Sequence, residues 1–133
     1  MKLSAKLGMV IAIIAVLFVT QHSATFAADR VSYEQYLIQS LKDENIGRRA
    51  SAAMLLGEKK TIEAINPLVE MLKHEDDYRV RIVAAMALYK IGDPNILPVL
   101  EKIAKKEKNK TAKRVMYGIV NEIKTNNFAA AEN

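Results

Sequence analysis

The chain has 133 residues, a formal net charge of +5 and no cysteine. It therefore cannot form a disulfide or supply a thiolate ligand to a metal. Of its two histidines, His22 lies in the N-terminal segment expected to be removed, which leaves His74 as the only imidazole, too few for a metal site of this kind. The length suits one domain, and the positive charge alone is too small to indicate nucleic-acid binding, so we expect no nucleic-acid partner.

The first 27 residues are typical of a secretory signal peptide. Lys2 and Lys6 precede an uninterrupted apolar run over residues 9–19, which is shorter than the ~20 residues of a membrane-spanning helix. Small side chains at Thr25 and Ala27 predict cleavage after Ala27. We therefore expect an exported protein, periplasmic or extracellular, with no membrane span after cleavage; retention of the segment as an anchor is the alternative.

Apolar residues beyond this segment recur at helical spacing and predict six helices. Gly57 and Gly92 are placed to end the second and fourth helices. Pro67 and Pro98 are expected to bend the third and fifth, with the regular helix beginning at the proline. Thr61 is a plausible N-cap for the third helix, Asp76 and Asp77 precede the fourth, and Asp93-Pro94 begins the fifth. The first helix ends near Lys42, the second is Ile46–Leu56, the third about Ile62–Lys73, the fourth lies between Asp77 and Gly92, and the sixth is about Thr111–Lys124.

The fourth helix has a copy on each side at a shift of about 32 residues. The triplet 84–86 (Ala-Ala-Met) recurs at 52–54, and Arg81 corresponds to Arg49 and Lys113. The helices between these copies repeat as well, residues 65–72 matching 96–103. A fixed period with two helices per unit predicts an all-α fold, an α-solenoid of about three helix pairs.

These repeats resemble a short HEAT-like repeat of the bilin-lyase type. The resemblance is carried by Val80-Arg81, the Ala-rich helix, Ile91-Gly92-Asp93 and Ile96-Leu97-Pro98, and it covers residues 33–123. The third copy departs from the pattern, since it has Lys113 for the arginine and Met116-Tyr117 for the alanine pair. We place the repeat domain at 28–124 and expect residues 125–133 to form a flexible tail.

In HEAT-like folds the second helix of each pair lines the concave face, so the resemblance implies a protein partner bound there. Tyrosine and arginine are often energetically important in interfaces. An alternative exists for Arg49, Arg81 and Lys113, which could form a structural ladder by pairing with Asp43, Asp76, Asp77 or Glu107. The candidate contact residues are Arg49, Tyr78, Arg81, Met86, Tyr89, Lys110, Lys113, Arg114 and Tyr117.

Little in the sequence indicates catalysis. His74-Glu75 is similar to the His-Glu pairs of HEAT-like metal hydroxylases, but those enzymes need several pairs and this chain has one. No serine has a histidine near it in the sequence, so no acyl-transfer triad is expected. We predict a non-enzymatic binding or scaffold module without metal or cofactor; the alternative is a lyase-like or chaperone-like factor for a small ligand such as a tetrapyrrole.

Two further surfaces could bind partners. A basic cluster could contact an anionic surface weakly, or could be a solvated turn. The last helix carries an apolar stripe without a following repeat, so the tail, a partner or a second copy could cover it. The basic cluster comprises Lys102, Lys105, Lys106, Lys108, Lys110, Lys113 and Arg114.

Overall fold

The computed structural model describes residues 33–131, and side chains within 33–126. The predicted signal peptide and its cleavage site lie outside the described residues. Residues from Tyr36 onward form a compact unit of their own. The regular elements of the described part are α1 (33–40), α2 (Ile46–Glu58), a 3₁₀ helix (Ile62–Ala64), α3 (Ile65–His74), α4 (Tyr78–Ile91), α5 (Ile96–Lys106) and α6 (Lys110–Ala131).

The helices confirm the predicted all-α solenoid. The second helices of the pairs form one layer in which α4 packs between α2 and α6, while α3 packs on α4 and α5 packs on α6. Each unit thus contacts only its neighbours, as solenoid repeats do. The largest fully buried side chains come from both layers: Leu56, Leu68, Leu72, Leu88, Leu100, Met116 and Val120.

Gly57 marks a close approach between two helices. A Cβ atom on Gly57 would lie 2.7 Å from the Cα atom of Ala87, so any side chain there would collide with α4. The prediction that Gly57 ends the second helix is wrong, because α2 continues to Glu58 and the left-handed residue that follows is Lys60, with φ 54°. Gly92 does end α4 as predicted, with φ 81°.

Pro67 and Pro98 each lie in the first turn of a helix. Backbone N–H groups in the first turn have no intrahelical acceptor, so proline removes no hydrogen bond there. The predicted third helix is two elements, the 3₁₀ helix and α3. Each regular helix begins two residues before its proline, close to the predicted start, and neither proline lies in a helix interior. Asp93 likewise shapes a turn, since its carboxylate accepts the N–H of Asn95 at 2.9 Å and α5 begins later than predicted.

Helix α6 differs from its prediction in length and in what it exposes. It extends to Ala131, beyond the predicted end at Lys124. Its apolar stripe at Met116, Val120 and Ile123 is already buried, because α6 packs against both α4 and α5. Val115 and Ile119 of the same stripe are only half-buried, so the stripe is covered in part. Flexibility of residues 125–133 and a homodimer through this helix stay predictions.

Within the described residues, no helix combines the length and the apolar character that crossing a membrane requires.

Candidate functional site

Arg49 clamps two successive turns of the solenoid together. Its Nε and Nη2 atoms donate to the Glu75 carboxylate at 2.7 and 2.9 Å, while Nη1 donates to the carbonyls of Asp43 and Glu44 at 2.9 and 3.0 Å. Both side chains are largely buried. The planar guanidinium suits this bidentate arrangement, and its hydrogen bonds hold the pKa of Glu75 below its usual range.

Arg81 repeats the clamp one unit later. Its Nε and Nη2 atoms both lie 2.7 Å from the Glu107 carboxylate, and Nη1 donates to the carbonyls of Glu75 and Asp76 at 2.8 and 2.9 Å. The pKa of Glu107 is lowered, chiefly by hydrogen bonding to Arg81. Glu107 also accepts the backbone N–H of Asn109 at 2.8 Å, so each glutamate organises the turn that contains it.

Lys113 occupies the third position of this column but forms no clamp. Its Nζ donates to the carbonyl of Lys105 at 3.3 Å, and it has no ion pair in the part of the chain that the structure describes. For Arg49 and Arg81 the structure shows the ladder alternative; partner contact by this column stays a prediction.

The acids in the ladder only partly match the sequence analysis. Glu107 was among the expected partners, whereas Glu75 was missed. Asp43 and Asp76 contribute backbone carbonyls to the clamps. Asp77 instead caps α4, where its carboxylate accepts the N–H of Arg79 at 2.8 Å and pairs with the Arg79 side chain at 2.6 Å.

Six large apolar side chains lie exposed on the α2–α4–α6 layer. We call this surface, which the HEAT resemblance predicts to be the concave face, the outer face. On α4, Tyr78, Met86 and Tyr89 fall within one stripe because they are separated by about two and three turns. On α2, Ile46 and Met54 occupy the helical positions of Tyr78 and Met86 one repeat earlier. The outer face comprises Ile46, Met54, Tyr78, Met86, Tyr89 and Tyr117, each between 36% and 48% exposed.

The structure thus brings several predicted contact residues together. Tyr78, Met86 and Tyr89 share the α4 stripe, and α6 adds exposed Lys110, Arg114 and Tyr117 beside it. Sequence reasoning missed Ile46 and Met54 on α2. The available signal was the repeat itself, since Met54 is the copy of Met86 in the Ala-Ala-Met triplet.

A protein-family model described as HEAT repeats matches residues 34–117. The chain belongs to the HEAT-repeat family. The match begins in α1, contains all of α2 to α5 and ends within α6. No curated protein sequence matches the chain. The more specific likeness to bilin-lyase repeats stays a prediction.

The acidic residues within the basic cluster at the third HEAT repeat neutralise less of its charge than the sequence indicates. Glu107 is buried in the clamp with Arg81, and Glu101 pairs with Lys124 on α6. The two carboxylates within this lysine-rich segment are therefore already engaged. The exposed cations around the α5–α6 turn are left without a nearby counter-charge from their own segment.

The first HEAT repeat borders a cleft of about 870 Å³ on the opposite layer. It lies between the end of α1 and the start of α3, with Ile38, Leu41 and Met71 supplying apolar wall and the Arg49–Glu75 clamp supplying polar groups. The volume falls in the range of small-molecule sites.

His74 is the last residue of α3, at the mouth of this cleft, and not a turn residue as predicted. Its side chain is largely exposed, and its Nε2 lies 3.4 Å from Glu70. Among the described residues no group of three or more His, Cys, Asp or Glu side chains could hold a metal ion.

Proposed function

We propose that the chain is an exported, non-catalytic protein-binding module and that its outer face holds the partner. One observation carries the proposal: six of the nine large apolar side chains exposed among the described residues lie on that face. Soluble monomers rarely gather exposed apolar residues in one patch unless the patch binds something. HEAT-repeat architecture supports this choice, because solenoids present extended surfaces to partners.

The chemistry of the outer face suits a protein surface. Met54 and Met86 are unbranched and can adapt to irregular partner shapes. Tyr78, Tyr89 and Tyr117 offer large apolar rings at a small cost in side-chain entropy. Because these side chains are half-buried, their neighbours restrict their orientation while the exposed part remains free to contact a partner.

Arg49 and Arg81 have a positioning role in this proposal. Their guanidinium groups are occupied by Glu75 and Glu107, so they hold adjacent turns together and set the spacing of α2, α4 and α6. Among the candidate contact residues, the cations whose donors are available to a partner are Lys110, Arg114 and Lys113. Lys113 makes one hydrogen bond, to the carbonyl of Lys105.

Site-specific photo-crosslinking tests the proposal. A photo-reactive amino acid replaces Met86 in one variant and Ile62 in another, and both are produced in cells from the full chain. Ile62 is a matched control because it is an exposed apolar residue in the 3₁₀ helix, outside the outer face.

We expect a discrete crosslinked protein from position 86, absent from position 62 and lost when Tyr89→Glu is added. Equal crosslinking from both positions, or none from position 86, contradicts the proposal.

A second candidate function, binding of a small ligand, is favoured by the cleft between α1 and α3. Its volume and mixed apolar and polar walls resemble a ligand site more than the outer face does. An absorbance titration with a linear tetrapyrrole tests this function. Saturable binding that Ile38→Glu abolishes and Ile62→Glu leaves intact would support it, whereas no spectral change would argue against it.

A further inference from the structure

The outer face changes character from one end to the other. Three positions repeat at the same place on α2, α4 and α6, and in the first two repeats they carry apolar residues. In the third repeat the same positions carry two cations and a glycine. The columns read Ile46, Tyr78, Lys110; then Ala50, Ile82, Arg114; then Met54, Met86, Gly118.

The cations at the α6 end have no counter-charge of their own. Lys110 and Arg114 are exposed, and neither forms an ion pair within the described residues. On α2 and α4, Arg79 contacts Asp77 and Lys90 contacts Glu58, while Glu44 and Asp76 place exposed carboxylates just before these two helices. Uncompensated positive charge on the outer face is therefore confined to α6. Glu122 lies two turns beyond Arg114, about 12 Å along the helix axis.

Gly118 opens space beside these cations without any need from the fold. A Cβ atom on Gly118 would meet no atom within 4 Å, so no neighbour forces a glycine here. Glycine inside a helix is less stable than alanine because it loses more backbone freedom on folding. A partner that comes close to α6 next to Met86 would use this gap.

We propose that the outer face binds a partner-protein segment that carries apolar side chains followed by carboxylates. The apolar side chains pack on α2 and α4 between Met54 and Met86, and the carboxylates meet Lys110 and Arg114. This inference rests on the proposed function and adds the chemistry of the partner. Complementary charge fixes the direction and register in which such a segment binds.

A lipid surface fits these observations less well. A helix that inserts into a membrane surface presents a projecting apolar face. The apolar side chains of the outer face are instead only partly exposed and lie among packed helices. The cations also occupy one end of the face, whereas a membrane-binding patch surrounds its apolar centre with them.

Selection from a random library of 16-residue peptides displayed on phage tests the inference, with protein from the full chain as bait. We expect enriched peptides to pair apolar residues with Asp or Glu at one end, and their binding to weaken with salt. The double variant Lys110→Glu with Arg114→Glu should bind these peptides about tenfold or more weakly. Selection on this variant should instead enrich peptides that carry Lys or Arg.

The control variant combines Lys102→Glu with Lys105→Glu, which changes net charge equally but alters α5. It should retain the peptides selected on wild type. Circular dichroism confirms that each variant is folded before selection.

If the enriched peptides are apolar, lack carboxylates and do not bind the Met86→Glu variant, this inference is overturned and the proposed function stands. Peptides bound equally by Met86→Glu would overturn the proposed function as well. Two other results overturn the inference by revealing a different occupant. One is binding to vesicles with 30% phosphatidylglycerol in place of peptide enrichment, and the other is a dimer in sedimentation equilibrium that Met86→Glu dissociates.

Discussion

Replacing Arg81 with alanine should destabilise the fold more than an exposed ion pair would. The arginine side chain is 16% exposed and its partner Glu107 only 4%, so water reaches the pair poorly. The substitution removes a bidentate contact to Glu107 and two donors to the carbonyls of Glu75 and Asp76. A buried carboxylate then remains without its counter-charge.

The expected loss lies between two limits. Exposed pairs contribute about 0–1 kcal/mol, and breaking a buried pair costs about 3–5 kcal/mol. Glu107 keeps its hydrogen bond from the Asn109 backbone, and the partial exposure of Arg81 lets water replace some donors. We therefore expect the free energy of unfolding to fall by about 2–3 kcal/mol.

Urea denaturation followed by circular dichroism measures this loss. Arg79→Ala is the matched control, because Arg79 lies in the same turn of α4 and its pair with Asp77 is exposed. We expect the control to keep the wild-type midpoint, and a double variant with Glu107→Gln to lose less than the two single changes added together. If Arg81→Ala unfolds at the wild-type midpoint, the clamp does not hold the repeats together.

The Arg81–Glu107 pair also makes the stability of the fold depend on pH. The lowered pKa of Glu107 means that its contribution to stability is full at neutral pH and declines as pH falls below the ordinary glutamate pKa of about 4.3. Glu107→Gln should therefore lose less stability than wild type between pH 7 and pH 3 in thermal melts.

Gly57→Ala should cost about 1–3 kcal/mol, because its Cβ would collide with Ala87, whereas Gly118→Ala should add about 0.5–1 kcal/mol; equal melting temperatures would refute both assignments. Export and cleavage after Ala27 stay predictions: intact-mass analysis of protein recovered from the envelope or the medium should show Ala28 as its first residue, and a species that retains Met1 would indicate an uncleaved anchor.

Periodicity made the fold predictable, and local signals failed where helices meet. The repeat of the Ala-Ala-Met triplet and of Arg49 at Arg81 defined the helix pairs without any structural information. A glycine at the end of an apolar stripe is usually a helix cap. Gly57 is instead a glycine because the backbone of α4 lies too close to leave room for a Cβ atom, and the apolar pattern of α2 alone does not reveal that neighbour. Pro67 was misplaced for a related reason, since the preceding 3₁₀ helix shifts the start of α3.

The candidate site was predictable in type but not in membership. Their residue types indicate Tyr78, Met86 and Tyr89, which lie on one stripe of α4; contact with a partner stays a prediction. Met54 was read as a repeat marker because exposure depends on which side of α2 faces α4. Glu75 is missed because the sequence analysis considers it only in the His74-Glu75 pair, whereas the stacking of turns brings it to Arg49, 26 residues earlier in the chain.

Methionine methyl NMR tests most directly whether the outer face binds the partner. Met54 and Met86 lie on that face, Met71 lines the cleft between α1 and α3, and Met116 is fully buried in the core. Protein labelled with ¹³C-methyl methionine is titrated with the partner isolated on immobilised wild-type chain. We predict that the Met54 and Met86 resonances shift or broaden while Met71 and Met116 stay unchanged. A shift of Met71 alone would place binding in the cleft and contradict the assignment of the outer face.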